Sequence, residues 1–287
     1  MRRLKGRLTP YLLMLPAGLW LVVFFAVPMV YMASVSLMTG NLIDGWKLTW
    51  HWQNYTDGLD VYGDKLVRSL WYGLIATVAC IALAYPAAYW IAFKGGRHKS
   101  TWLFMLLLPF FVSFVLRTVA WKLVLTDNGP VLSPLKNWGL LPDDYHVLDS
   151  GFAVISGLTY NFLPFMVLPI YVALERIDYR VIEAAYDLYA GRFEVFRRVV
   201  FPLSLPGVFA GVIMTFVPVT SDYVNASVLG GPGNTMIGNV IQAEYFTNSN
   251  YASASALSFT LMALLLVGIF AYARALGTED VLEAAGR

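Results

Sequence analysis

Residues 175–206 read ERIDYRVIEAAYDLYAGRFEVFRRVVFPLSLP. The stretch is too charged to cross a bilayer. The apolar runs that flank it, about 151–174 and 205–224, are each long enough to do so. Residues 181–200 have helical propensity, with Val181, Ala184, Ala185, Leu188 and Val195 spaced to form an apolar stripe. Pro202 and Pro206 are expected to close this helix and start the next span. Two readings fit: an amphipathic helix lying in the membrane interface, or a docking helix gripped by a soluble partner.

Working outward, four more apolar runs appear at about 11–36, 69–93, 101–122 and 254–275. The expected fold is therefore an all-α membrane protein with six transmembrane helices in one domain over residues 1–287. Composition agrees. Hydrophobic residues make up 58% of the chain and charged ones 13%, and the mean hydropathy is +0.62. These values exclude an ordinary soluble enzyme, a disordered chain and a disulfide-built module. The first run follows basic residues, as in a signal peptide, but it is too long and ends without a small-residue cleavage site. It reads as a retained span. Cys80 lies in an apolar run and reads as packing. Spans three to five carry Pro109, Pro164, Pro169, Pro206 and Pro218. Helix breaks inside a membrane are tolerated where neighbours or a wet cavity satisfy the freed backbone, so the bundle is expected to line something.

Basic residues fix the expected orientation. Arg2, Arg3, Lys5 and Arg7, then Lys94, Arg97 and Lys99, then Arg176, Arg180, Arg192, Arg197 and Arg198, and finally Arg274 and Arg287, all fall on one side of a six-span bundle. The opposite loops hold only Lys47, Lys65, Arg68 and Lys136, with Arg117 and Lys122 at the outer end of span three. The bias places both termini in the cytoplasm. The outer loops carry Asp44, Asp57, Asp60, Asp64, Asp127, Asp143, Asp144 and Asp149. Such acids are either unselected outside or form a funnel that concentrates cations.

Catalytic signatures are missing from the sequence: no G-x-S-x-G, H-E-x-x-H, C-x-x-C or P-loop. His51, His98 and His146 fall in loops on opposite sides of the membrane and cannot share a metal. Any nucleotide must be bound by another chain. Transporters usually alternate between two related halves. No duplication is visible here, so one six-span chain reads as half of such a device.

Glu183-Ala184-Ala185, followed by Pro202 and Leu205-Pro206, resembles the EAA loop of type I ABC-importer permeases, E-A-A-x3-G-x9-I-x-L-P. One departure is that Tyr189 holds the usual glycine position, with Gly191 two residues later. Residues 116–121 (LRTVAW), 128–130 (NGP), 163–169 (LPFMVLP), 222–226 (DYVNA), 230–232 (GGP) and 236–241 (MIGNVI) are similar to spermidine/putrescine permeases. Together these cover most of the chain from about residue 10 to 275. The resemblance implies the permease subunit of an importer in the bacterial inner membrane, forming half of the path for a small cationic solute such as a polyamine. The same class imports other solutes, such as an amino-acid derivative or iron. The implied partners are a second homologous permease, two ATP-binding subunits that hold ATP and Mg, and an extracytoplasmic solute-binding protein. The lipid bilayer surrounds them, and no nucleic acid is involved. The coupling helix within 175–204 would seat on the ATPase through Glu183, Ala184, Ala185, Asp187, Tyr189 and Gly191.

A polycation crossing the membrane needs a carboxylate and aromatic faces. Asp222 is the one acid near a span, in the outer third of span five after Pro218. An intramembrane acid is a functional candidate by default. It either lines the pathway or pairs with Arg117. Tyr223, Trp121 and Tyr160 are candidate walls, as is Tyr245, although interfacial aromatic belts also explain each of them. Glu244, in the polar segment 239–251, reads as a gate or as a solvated side chain.

Overall fold

The structure is a computed structural model that describes residues 14–41, 43, 45–142 and 144–275. Arg2, Arg3, Lys5, Arg7, Asp44, Asp143 and Arg287, and the start of the first apolar run, lie outside the described residues.

Among the described residues, five helices are long and apolar enough to span a membrane, or six if one bent pair counts as a single span. They are α1 (Met14–Val35), α2 (Gln53–Lys94), α6 (Gly151–Glu175), α8 (Arg192–Thr220) and α11 (Tyr251–Ala275). The bent pair comprises Gly96–Phe111, which contains α3 (Lys99–Leu107), and α4 (Phe114–Leu125). Shorter elements complete the description: strands β1 (Met38–Asn41) and β2 (Gly45–Leu48), and helices α5 (Leu132–Asn137), α7 (Tyr179–Asp187), α9 (Val224–Leu229) and α10 (Ile237–Gln242).

Three expectations about the spans change. The second span is not 69–93 but part of a 42-residue helix. At 1.5 Å per residue that rod is about 63 Å long, twice the hydrocarbon thickness of about 30 Å. Much of the expected outer loop is thus helix. The third span is not one rod, because its halves meet at 90°. Around Pro109 the helix tightens into a 3-10 turn, Leu108–Phe111, and Val112 and Ser113 are then extended (ψ 143° and 136°), which ends one helix and starts the next. The fifth helix does not begin at the prolines. It runs from Arg192 through Pro202 and Pro206 to Thr220. A wide π-turn at Phe196–Val200 sits where the ring of Pro202 would otherwise meet the carbonyl of the preceding turn.

The chain divides into two compact units. One comprises the chain up to Gly63 together with Ile241–Leu264. In it, β1 and β2 pair antiparallel, from Met38 opposite Leu48 to Asn41 opposite Gly45. Asn54 Nδ2 donates to the carbonyls of Ser36 and Met38, both at 2.9 Å, fastening the hairpin to the start of α2. The other unit comprises Asp64–Val240 and the chain from Leu265. Its core has two buried clusters. Cys80, Ala84, Ala88, Met166, Ile170 and Leu174 centre one, with Ile182, Val195 and Val200 from the 175–206 segment packed into it. Cys80 is therefore packing, as its sequence context suggests. Ala76, Val154, Leu158, Leu229 and Met236 centre the other.

Candidate functional site

The 175–206 segment forms two helices rather than one. Asp178 caps α7 by accepting from the Arg180 N–H at 3.0 Å. The helix ends at Asp187, and Gly191 opens α8. The break is carried by Tyr189, whose φ of +59° puts a tyrosine in the left-handed region. Its N–H donates to the Tyr186 carbonyl at 2.9 Å, and the Ala190 N–H to that of Ala185 at 3.2 Å. Left-handed backbone just past a helix end is where glycine is favoured, so the tyrosine keeps the turn that a glycine would make. Gly191, with φ −69° and ψ 161°, is extended and does not take over that role.

The buried face of α7 differs from the expected stripe. Ile182 is buried, and Ala185 packs beside it against the cluster around Leu174. Val181, Ala184 and Leu188 are exposed, and of the five stripe residues only Val195 is deeply buried. Three of the five stripe residues, Val181, Ala184 and Leu188, thus face outward. With Leu188 82% exposed, Tyr189 98% exposed and Phe193 beside them in sequence, they make an open apolar surface. Glu183 and Asp187 are exposed along the same helix.

The other candidate residues lie elsewhere. Asp222 is not on a span but in the turn between α8 and α9, and it is only 8% exposed. Its Oδ1 accepts from the Asn225 N–H at 2.7 Å, three residues on, so the carboxylate caps α9. Arg117 is not its partner. The guanidinium lies 4.2 Å from the centre of the Phe110 ring and 5.7 Å from that of Phe114. Arg117 Nε and Nη1 are buried without a hydrogen-bond partner.

Beyond the cap is a polar knot. Asn161 Nδ2 donates to Thr118 Oγ1 and to Asn225 Oδ1, both at 3.0 Å. Thr118, Asn161 and Asn225 are fully or almost fully buried, and they come from α4, α6 and α9 respectively. Gly157 lets α9 close on α6, since a Cβ there would lie 3.0 Å from Asn225 Oδ1. Alongside, Trp121 and Tyr160 stack in parallel, with centroids 5.2 Å apart and planes 2° apart, and Trp121 Nε1 donates to Ser156 Oγ at 3.2 Å. Tyr223 has a half-exposed ring, and its carbonyl accepts from Asn239 Nδ2 at 2.8 Å. Sequence reading missed Thr118, Asn161 and Asn225. The available signal was an asparagine inside an apolar run, since buried amides need partners.

Glu244 and Tyr245 belong to the other unit. Glu244 is 5% exposed and accepts from Tyr62 Oη at 2.7 Å and Asn248 Nδ2 at 2.9 Å, so it is not solvated. Tyr245 stands 4.9 Å from Tyr251, ring centre to ring centre. Of the loop acids, Asp127 is held by His146 Nδ1 at 2.6 Å and Lys136 Nζ at 3.3 Å, and this hydrogen bonding, led by His146, keeps its carboxyl below the usual carboxylate range. Asp64 pairs with Lys65 at 2.7 Å. Among the described residues, no cluster of three His, Cys, Asp or Glu side chains is placed to hold a metal ion.

Known proteins match this architecture. Residues 69–275 match the family described as the binding-protein-dependent transport system inner membrane component. The spermidine/putrescine transport system permease protein PotB of Haemophilus influenzae is 34% identical over 257 residues, covering 89% of this chain and 90% of that protein. PotB of Escherichia coli is 33% identical over 268 residues, covering 92% and 98%. Among solved structures, a bacterial ABC transporter that imports the acidic polysaccharide alginate shares the fold, with a TM-score of 0.69 at 16% identity over 96% of this chain and 97% of that one. A family match over most of the chain, with relatives above 30% identity along nearly its whole length, places this protein among the inner-membrane permease components of binding-protein-dependent transport systems.

Proposed function

We propose that the chain forms half of the path by which an ATP-driven importer carries a polyamine, spermidine or putrescine, across the bacterial inner membrane. The observation that carries the reading is the near full-length similarity to two spermidine/putrescine permeases. A second, homologous permease supplies the other half. Two ATP-binding subunits hold ATP and Mg on the cytoplasmic side, where both termini lie. An extracytoplasmic binding protein delivers the solute. The outward apolar surface of α7, with Glu183 for register, is the seat of one ATP-binding subunit; an apolar face left open in a packed chain marks an interaction site.

In this reading the aromatic faces of Trp121, Tyr160 and Tyr223 meet the ammonium groups by cation–π attraction. Asp222 acts behind them, because its carboxylate is already engaged by the Asn225 N–H. One observation favours an alternative solute. Arg117, in the same stretch as Trp121, carries two unpartnered buried N–H groups that suit a carboxylate, as an amino-acid derivative would offer. Uptake decides between them. Vesicles holding the four-subunit assembly and loaded with ATP should accumulate labelled putrescine or spermidine only when the binding protein is added. Accumulation of an amino-acid derivative or iron, with no polyamine uptake, would overturn the polyamine reading.

A further inference from the structure

A second surface of the chain is apolar for a different reason. Ala87, Trp90 and Ile91 near the end of α2, with Trp102, Met105 and Leu106 of α3, line an open groove of about 470 Å³. Trp90 and Trp102 meet edge to face at its wall, centroids 5.2 Å apart and planes at 82°. Both indoles remain about half exposed.

The turn that joins the two helices supplies the charge. Lys94 lies one helical turn beyond Trp90 and so on the same face of α2. Arg97 follows in the 3-10 turn Gly96–His98. Both are exposed, and neither makes an ion pair among the described residues. Lys99 is held at 3.6 Å by Glu175, which leaves the cationic edge to Lys94 and Arg97. An apolar trough, an indole pair and a free basic edge at one end match one molecule: a phospholipid with an anionic headgroup. Basic pockets beside membrane helices bind such headgroups, and tryptophans favour the headgroup level.

We propose that this groove is a binding site for an anionic phospholipid of the bilayer. An acyl chain lies along Trp102, Met105 and Leu106, and the phosphate meets Lys94 and Arg97. The orientation proposed above puts this lipid in the cytoplasmic leaflet; the binding itself does not rest on that orientation.

The test uses the full chain, purified from membranes with the subunits that accompany it, and supplied with equal phosphatidylglycerol and phosphatidylcholine. Retained lipid is read by native mass spectrometry. Phosphatidylglycerol should be kept in preference. Each basic residue beside an anionic headgroup is worth about fivefold, so a Lys94→Gln/Arg97→Gln variant should weaken retention by roughly 25-fold. A Lys47→Gln/Lys65→Gln control should not change it. A photocrosslinking residue in place of Met105 should capture lipid. Equal retention of the two lipids, a preference untouched by Lys94→Gln/Arg97→Gln, or capture of a protein helix at Met105 would each overturn the site. Labelling of Arg97→Cys by an impermeant reagent from outside the cell would move the lipid to the outer leaflet and sink the proposed orientation, leaving the binding result intact.

Discussion

The surface of α7 and the knot around Asn161 are opposite solutions in one chain. On α7 the apolar residues Val181, Ala184, Leu188 and Tyr189 are open, and the turn after the helix holds a tyrosine in a left-handed conformation. In the knot, Thr118, Asn161 and Asn225 are sealed and bonded to one another across three helices. An exposed apolar face gains nothing until another chain covers it, whereas a buried amide costs free energy unless its partners are in place. On the proposed reading the first region serves assembly and the second the shape of this chain. Mutations should separate them: changes on α7 should alter coupling with little effect on stability, and changes in the knot should do the reverse.

The largest effect is expected at Glu183. Reversing its charge, Glu183→Lys, should lower uptake by roughly tenfold or more, since like charges at an interface cost several kcal/mol. The melting temperature of the isolated chain in detergent should hold. Unchanged uptake together with undiminished co-purification of the ATP-binding subunit would erase the contrast.

Next comes the knot. Asn161→Ala leaves Asn225 and Thr118 short of a donor and should cost about 1–3 kcal/mol of stability. Thermal unfolding in detergent measures this. Equal melting curves would mean that water replaces the amide and that the knot is not what holds α4, α6 and α9 together.

Asp222 sharpens the comparison because its sequence position suits either the pathway or a pair with Arg117, and it stands as a cap. Asparagine caps helices about as well as aspartate, while alanine costs about 0.5–2 kcal/mol. Asp222→Asn should leave stability unchanged and Asp222→Ala should lower it. If Asp222→Asn keeps full stability but loses polyamine uptake, the carboxylate meets the solute after all.

The smallest effect is expected at Tyr189. Left-handed backbone costs a non-glycine residue roughly 1 kcal/mol, partly offset by the greater freedom of glycine in the unfolded chain. The tyrosine ring touches little of its own chain. Tyr189→Gly should therefore raise stability by less than about 1 kcal/mol, and any change in its affinity for the ATP-binding subunit, measured by titration, reports what the ring contributes to the seat.

Several features were legible from residues 175–206 and the apolar runs around them. Composition and run length are local properties, and a bilayer selects helices of fixed length. That is why the all-α membrane fold could be read from the chain, while the transport class, a non-enzymatic component, came from the resemblance of the EAA loop; both agree with its family. The EAA resemblance singled out residues 175–206, and Tyr189 was visible as a departure from its pattern. Most of what the residues alone left undecided depended on packing, much of it against neighbours distant in sequence. The stripe of α7 has the right spacing, but only packing against Ile170 and Leu174 decided that Ile182 turns inward and Leu188 outward. Pro109 announced a break without its 90° angle. Asp222, beside span five, and Glu244, in a polar segment, were each left with two readings. Tertiary structure gave one to the Asn225 N–H and the other to Tyr62 and Asn248, because a buried carboxylate must find donors wherever the fold brings them.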